Sequence, residues 1–434
     1  MKKIALKSVM MLAMVFSLVS GCQCSKHDPD KTKFGRVLIF YSEGNNTLRD
    51  YLYGDINELK RGYAPAKSGK DVFLIVSHLA VSRGNYSTPT YPYLIRVYKD
   101  KKKGVVLDTL KAYTDGNILV GEGDMKAVLN DIHTQFPAEH YGMVYSSHAS
   151  GWLPNGYYSN PNYYERGSSF GARRAAGALP KGAVPYREPE DVPGAPAVKS
   201  IGMCNQVSGG TVVSYEMELT DFADAFPMKF DYLLLDACLS GGIEVAYELK
   251  DKVGVIGFSP TEILADGFNY KTLASRLLEG DTDVEAVVDD YFQQYASKTD
   301  ASDRAATVSL VDCSKLEDLA GVCRTLFDKY ADSIASLDPD SVQRFYRNSN
   351  HWFYDLEDIL VKAGISQEEH RSLTAALDRC IIYKAATEAF LYAWGGFKID
   401  TYSGLSMYLP CNGSAFLDSR YKQLAWNKAT GLVD

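Results

Sequence analysis

The sequence lacks several things that would have narrowed its role at once. It has no CxxC pair, no internal repeat, no low-complexity tract, no EF-hand pattern, and no long apolar run beyond the first 21 residues. Without a cysteine pair at metal-ligand spacing, a zinc site is not expected and no metal ligands are assigned. Basic residues are outnumbered, 46 Lys and Arg against 54 Asp and Glu, for a net charge of −8. An acidic chain of this kind is a poor nucleic-acid binder. What remains is a globular composition, 46% hydrophobic and 23% charged. At 434 residues it is long enough for one large α/β domain with an appendage, or for two domains.

The single long apolar run lies at the start. Residues 1–21 read as a signal peptide, with Lys2, Lys3 and Lys7 before an apolar stretch at 9–19 too short to span a bilayer comfortably. The segment closes in LVSGC (18–22), which resembles a bacterial lipobox and implies cleavage before Cys22 and lipid on its thiol. Export to a bacterial membrane surface on a lipid anchor is therefore expected, with 22–33 as a polar tether. Seven further cysteines (24, 204, 238, 313, 323, 380 and 411) then leave at least one unpaired thiol.

From residue 34 the pattern alternates. RVLIFYS (36–42), DVFLIVSH (71–78), YGMVYSSH (141–148), DYLLLDAC (231–238) and VGVIGFS (253–259) are continuous apolar runs, the sign of strands buried on both faces. PYLIRVYK (92–99) and GVVLDTLKAY (104–113) read as a hairpin. Helical spacing covers 123–136, and helices are expected near 216–226 and 241–252. This rhythm predicts an α/β fold, a mostly parallel sheet flanked by helices. The core runs over 34–312, interrupted by an irregular insert at 153–200 rich in Gly, Pro, Asn and Tyr. Beyond 312 the chain reads as largely helical to about 393, and returns one strand, GLSMYLP (404–410), to the core.

In such sheets chemistry collects beyond the carboxyl ends of the strands. His148 closes one predicted strand and Cys238 another. An imidazole beside a thiol can take its proton or hold the thiolate as an ion pair, giving a nucleophile near neutral pH. The helix expected from Gly241 would present its N-terminus to the sulfur. The pair lies 90 positions apart (238 − 148), about half of it insert; without the insert the gap approaches the roughly 50 residues of caspase-like peptidases. His78 also ends a strand and is the competing imidazole. His133 and His140 read as surface residues. Asp236, two before Cys238, shares its strand face and either orients the site or serves the fold.

SSHASGW (146–152), KSIGM (199–203), LLLDACLSGGIEVAYEL (233–249), FSPTEILADGFNY (258–270) and SGLSMYLP (403–410), in that order, resemble the clostripain-type cysteine peptidases, which have a caspase-like fold. The resemblance implies endopeptidase cleavage after Arg, preferred over Lys. His148 and Cys238 would be the dyad, with backbone N–H groups of Cys238 and Ala149 holding the oxyanion. Asp266 matches the family's acidic pocket position, and Glu262 is the nearer alternative. It also implies self-cleavage in the insert, which offers Arg166, Arg173, Arg174, Lys181, Arg187 and Lys199; the cut is expected near Arg173–Arg174. Partners are then protein or peptide substrates with Arg or Lys at the cut site, the chain is expected to be monomeric, and no cofactor is implied, the calcium requirement being open. The family usually has glycine after the histidine; Ala149 keeps the N–H but resists a positive φ.

Two other readings follow from the residues. GSSFG (167–171) fits G-x-S-x-G, but polar residues precede it where a hydrolase elbow needs a strand. A surface lipoprotein that lost catalysis and binds a partner is the alternative in another class, and Ala149 is the feature that favours it.

Overall fold

Val37, Leu38, Ile39, Phe40 and Tyr41 are all buried, so both faces of this run are covered, and a run with no polar face is stable only inside a layered fold. It forms β1 (Phe34–Gly44), followed by β2 (Asp71–Leu79), β3 (Tyr93–Asp100), β4 (Gly104–Ala112) and β5 (Ala138–Ser146). A small three-stranded sheet follows, β6 (Ala183–Pro185), β7 (Cys204–Ser208) and β8 (Thr211–Tyr215); then come β9 (Phe230–Asp236), β10 (Val253–Phe258) and β11 (Thr307–Asp312). The last strands are β12 (Tyr354–Asp355), β13 (Ile381–Ala386), β14 (Ala389–Phe390), β15 (Phe397–Lys398) and β16 (Ser406–Met407). The computed structural model describes residues 34–114, 122–165, 182–186, 204–300, 303–347 and 352–434, and 34–434 form one compact unit. Among the described residues no helix is long and apolar enough to cross a membrane.

The main sheet has nine strands in the order β13-β11-β10-β9-β5-β1-β2-β3-β4. Its middle five, β2-β1-β5-β9-β10, are parallel, and an antiparallel pair extends each edge. The order reverses at β1, from which the chain runs first to β2 and later to β5 on the other side. That switch point opens a crevice at the carboxyl ends of β1 and β5.

Several elements differ from the sequence expectation: β12 and β14 also lie in the stretch read as helical, and the insert read as irregular holds a short helix, Pro161–Glu165, and β6. Ile381–Ala386 lies inside the stretch read as helical, yet it forms β13 at the sheet edge. Its alternating exposure, with Ile382 open to solvent, is that of a half-covered edge strand, and the β-branched Ile381–Ile382 pair favours it. GLSMYLP contributes only Ser406–Met407 as strand, and these pair with β12 rather than with the main sheet. Ser406 nevertheless reaches the core: it bridges to Gly242, and its N–H donates to the Gly241 carbonyl at 2.9 Å.

Candidate functional site

β5 and β9 run side by side in parallel register, and their last rung is Ser146 opposite Asp236. His148 and Cys238 each follow that rung by two residues, so both leave the sheet at the same end from neighbouring strands about 4.8 Å apart. The turns that carry them also touch. Gly151 has φ +60°, and a Cβ there would sit 2.4 Å from the Leu239 carbonyl oxygen, so only glycine lets the histidine turn lie on the cysteine turn. Trp152 then anchors the histidine turn, with its ring 4.8 Å from Tyr408 and 5.1 Å from Tyr421.

The cysteine turn is strained and tied. Leu239, the residue after Cys238, has φ +57°, a conformation β-carbon sterics disfavour. Its N–H bonds the Thr261 carbonyl at 2.9 Å, and the Gly241 N–H bonds the Ser259 carbonyl at 2.8 Å. The Cys238 sulfur accepts the Ile263 N–H at 3.2 Å. The expected helix is Ile243–Leu249, and its first turn holds the buried Glu244. The Glu244 carboxyl accepts a hydrogen bond from its own N–H, and burial pushes its pKa up to about 7. This helix end is thus met by its own side chain, and the N–H at the sulfur comes from the 259–263 loop instead.

His148 is buried, with Nε2 and Thr47 Oγ1 2.7 Å apart. Thr47 follows β1, so both sides of the switch point contribute. His78 ends β2, which β1 and β5 separate from β9, and His140 lies at the opposite end of β5, exposed and paired with Asp231 at 2.7 Å. His133 packs its ring against Tyr141. Of the histidines that the sequence offered, His148 is the one that follows the strand adjacent to the one before Cys238.

Asp236 accepts a 2.7 Å bond from Ser146 Oγ and another from Tyr270. Gly267 closes over it, since a Cβ there would meet Asp236 Oδ2 at 2.4 Å. Ala149 is buried and is not among the non-glycine residues with positive φ, which in the described chain are Leu239 and Leu391. The left-handed position in this turn is Gly151, two residues on, so alanine at 149 carries no backbone strain.

The two candidate pocket carboxylates are placed differently. Asp266 is exposed and lines a groove with Asp55, Phe268, Asn269 and Gln294. Glu262 is buried and grips Arg347 with two bonds, Nε–Oε2 2.5 Å and Nη2–Oε1 3.0 Å. Burial works against the Arg347 charge, but the hydrogen bonds and charge of Glu262 outweigh it and leave the guanidinium pKa above its ordinary value; Cys238 and Tyr158 lie within electrostatic reach. The Tyr158 and Tyr346 rings pack 5.6 Å apart beside this pair. Cys238 itself is buried. Sequence reasoning missed Thr47, Leu239 and Arg347, none of which carries a local signal. Cys22, GSSFG, Arg166, Arg173, Arg174, Lys181, Arg187 and Lys199 lie outside the described residues.

Comparison with known proteins agrees with this architecture. The sequence model of the clostripain family matches residues 40–167 and 207–430. Three solved structures share the fold at TM-score 0.68, each with 92% of this chain and 99% of the other covered. They are an inactive zymogen C11 protease from Parabacteroides distasonis (24% identity), a secreted C11 cysteine protease from Bacteroides thetaiotaomicron (22%), and a C11 protease from the latter organism in complex with an irreversible peptide inhibitor (21%). No curated protein matches the chain significantly.

Proposed function

The chain belongs to the clostripain family of cysteine peptidases, and on that footing we propose that Cys238 is the nucleophile and His148 its base in cleavage after basic residues. The observation that carries this reading is the Ser146–Asp236 rung, which sets the two side chains on adjacent strand ends. Thr47 lies against His148 Nε2, and in this reading the proton transfer runs through Nδ1. Nδ1 takes the thiol proton as the sulfur attacks the scissile carbonyl. The N–H groups of Cys238 and Ala149 receive the oxyanion. The imidazolium then protonates the leaving amine, and water, deprotonated by His148, opens the thioester.

Preference for Arg over Lys draws on the two candidate carboxylates. Asp266 is open to a substrate, and Glu262 already binds a guanidinium in the bidentate manner that arginine allows and lysine does not. The buried Cys238 accords with a zymogen opened by self-cleavage near Arg173–Arg174. The alternative, a binding protein without catalysis, drew on Ala149, and the relaxed backbone there removes that support.

The test is hydrolysis of fluorogenic peptides ending in Arg, Lys or Asp by wild type and by Cys238→Ala. Arg is expected to lead, with no turnover by Cys238→Ala. Activity retained without the thiol would overturn the assignment. Self-processing is refuted if purified Cys238→Ala is still cut in the insert with no protease added. Export on a lipid anchor, proposed from LVSGC, predicts that Cys22→Ala moves the protein from the membrane fraction to the soluble one.

A further inference from the structure

Glu43, His78 and Cys204 are far apart in sequence and meet at one point of the fold. Glu43 and His78 are register partners near the carboxyl ends of β1 and β2. Cys204 opens β7, which is held against this end of β1 by the Asn205 N–H donating to the Asn45 carbonyl at 2.9 Å. All three side chains are buried, and one donor atom from each lies within 4.8 Å of the other two. None of the three belongs to the proposed pair, His148 and Cys238.

Their surroundings are built. His78 Nδ1 faces the Glu43 carboxylate at 3.0 and 3.1 Å, while Nε2 lies 3.1 Å from Thr90 Oγ1, which fixes the ring. Asn45 Nδ2 donates to Cys204 Sγ and to the Asn205 carbonyl, both at 3.1 Å. Asn45 Oδ1 is buried and has no hydrogen-bond partner among the described residues. The Asn45 side chain thus touches the thiol and carries an unpartnered amide oxygen.

We propose that Glu43, His78 and Cys204 bind one zinc-class divalent cation, with the Asn45 amide oxygen or a water in the fourth position. A sulfur, nitrogen and oxygen donor set selects borderline cations over calcium or magnesium. Thiolate and carboxylate balance the two positive charges, so the buried centre is neutral and avoids the desolvation cost of a lone charge. The Thr90–His78 contact is the outer-shell support such a ligand needs. The cation clamps β7, the strand that follows the insert, onto β1 and β2. The Glu43 main-chain oxygen also accepts Ser147 Oγ at 2.8 Å, so the clamp stands one residue from His148.

The experiment is titration of the metal-free full chain carrying Cys238→Ala with Co2+, followed by Zn2+. One equivalent of cobalt is expected, with a thiolate-to-cobalt charge-transfer band that zinc abolishes by displacement. Cys204→Ser should lose the band and weaken zinc binding beyond the ~10–100-fold that loss of an outer-shell partner costs. No band in the folded parent, or a band that persists in Cys204→Ser, overturns the proposal. Should Cys204→Ser fail to fold, Thr90→Val decides. It leaves every ligand in place and is expected to weaken zinc about 10-fold or more, and unchanged affinity overturns the proposal.

Discussion

Ser146 Oγ donates a 2.7 Å hydrogen bond to Asp236 Oδ2 across the last rung between β5 and β9, two residues short of His148 on one strand and of Cys238 on the other. The bond pins the strands where their chemistry begins.

Asp236 also receives the Tyr270 hydroxyl in a fully buried site. Asp236→Ala would remove the carboxylate acceptor that both hydroxyls share, at about 1–3 kcal/mol. Denaturant unfolding should show that loss, and kcat/KM should fall with it. Unchanged stability would mean that the rung is held by backbone pairing alone.

Gly151→Ala forces a β-carbon into the left-handed region and against the Leu239 carbonyl. The stability cost should exceed ~1 kcal/mol. The sharper signature is kinetic: kcat should drop with little change in KM, because the turns bearing the dyad move apart. Comparing Michaelis profiles of the two proteins checks this.

Arg347→Ala leaves Glu262 buried with no counter-charge, a change that typically costs about 3–5 kcal/mol. If Arg347 holds the place of a substrate arginine, the variant, though less stable, should be labelled faster at Cys238 by a thiol-reactive peptide ending in arginine. Slower labelling would instead make Arg347 a support of the 259–263 loop.

Stability should depend on pH through Glu244, whose folded pKa, about 7, lies above the ordinary 4.5. Between those values the folded state holds the extra proton, so stability falls as pH rises from about 4.5 through 7. The shift corresponds to a loss of roughly 3 kcal/mol. Glu216 and Asp355, raised by burial to about 7 and about 6, share that limb, so Glu244→Gln should make it shallower without removing it, as measured by chemical unfolding across the range.

Much of this was legible in the sequence, for a physical reason. RVLIFYS and DYLLLDAC have no polar face, and such runs have one good solution, a strand covered on both sides. That placed His148 and Cys238 at strand ends before any coordinates. Arg347 and Thr47 were not legible, because their roles arise from contacts between distant segments, Arg347 with Glu262 and Thr47 with His148. The same limit applies to Glu43, His78 and Cys204: scanning for local ligand spacing cannot see donors gathered by three separate strands. β13 was missed because a six-residue edge strand behind a long helix offers too little periodicity to stand out.

The bridge from Ser406 to the Gly241–Gly242 turn, and the Tyr408 N–H on Glu244 from 164 positions away, mean that the turn following Cys238 is completed by a segment distant along the chain. A nascent or prematurely terminated chain lacks that closing piece. A truncation series that stops before and after Ser406 should show peptidase activity only when this closing segment is present.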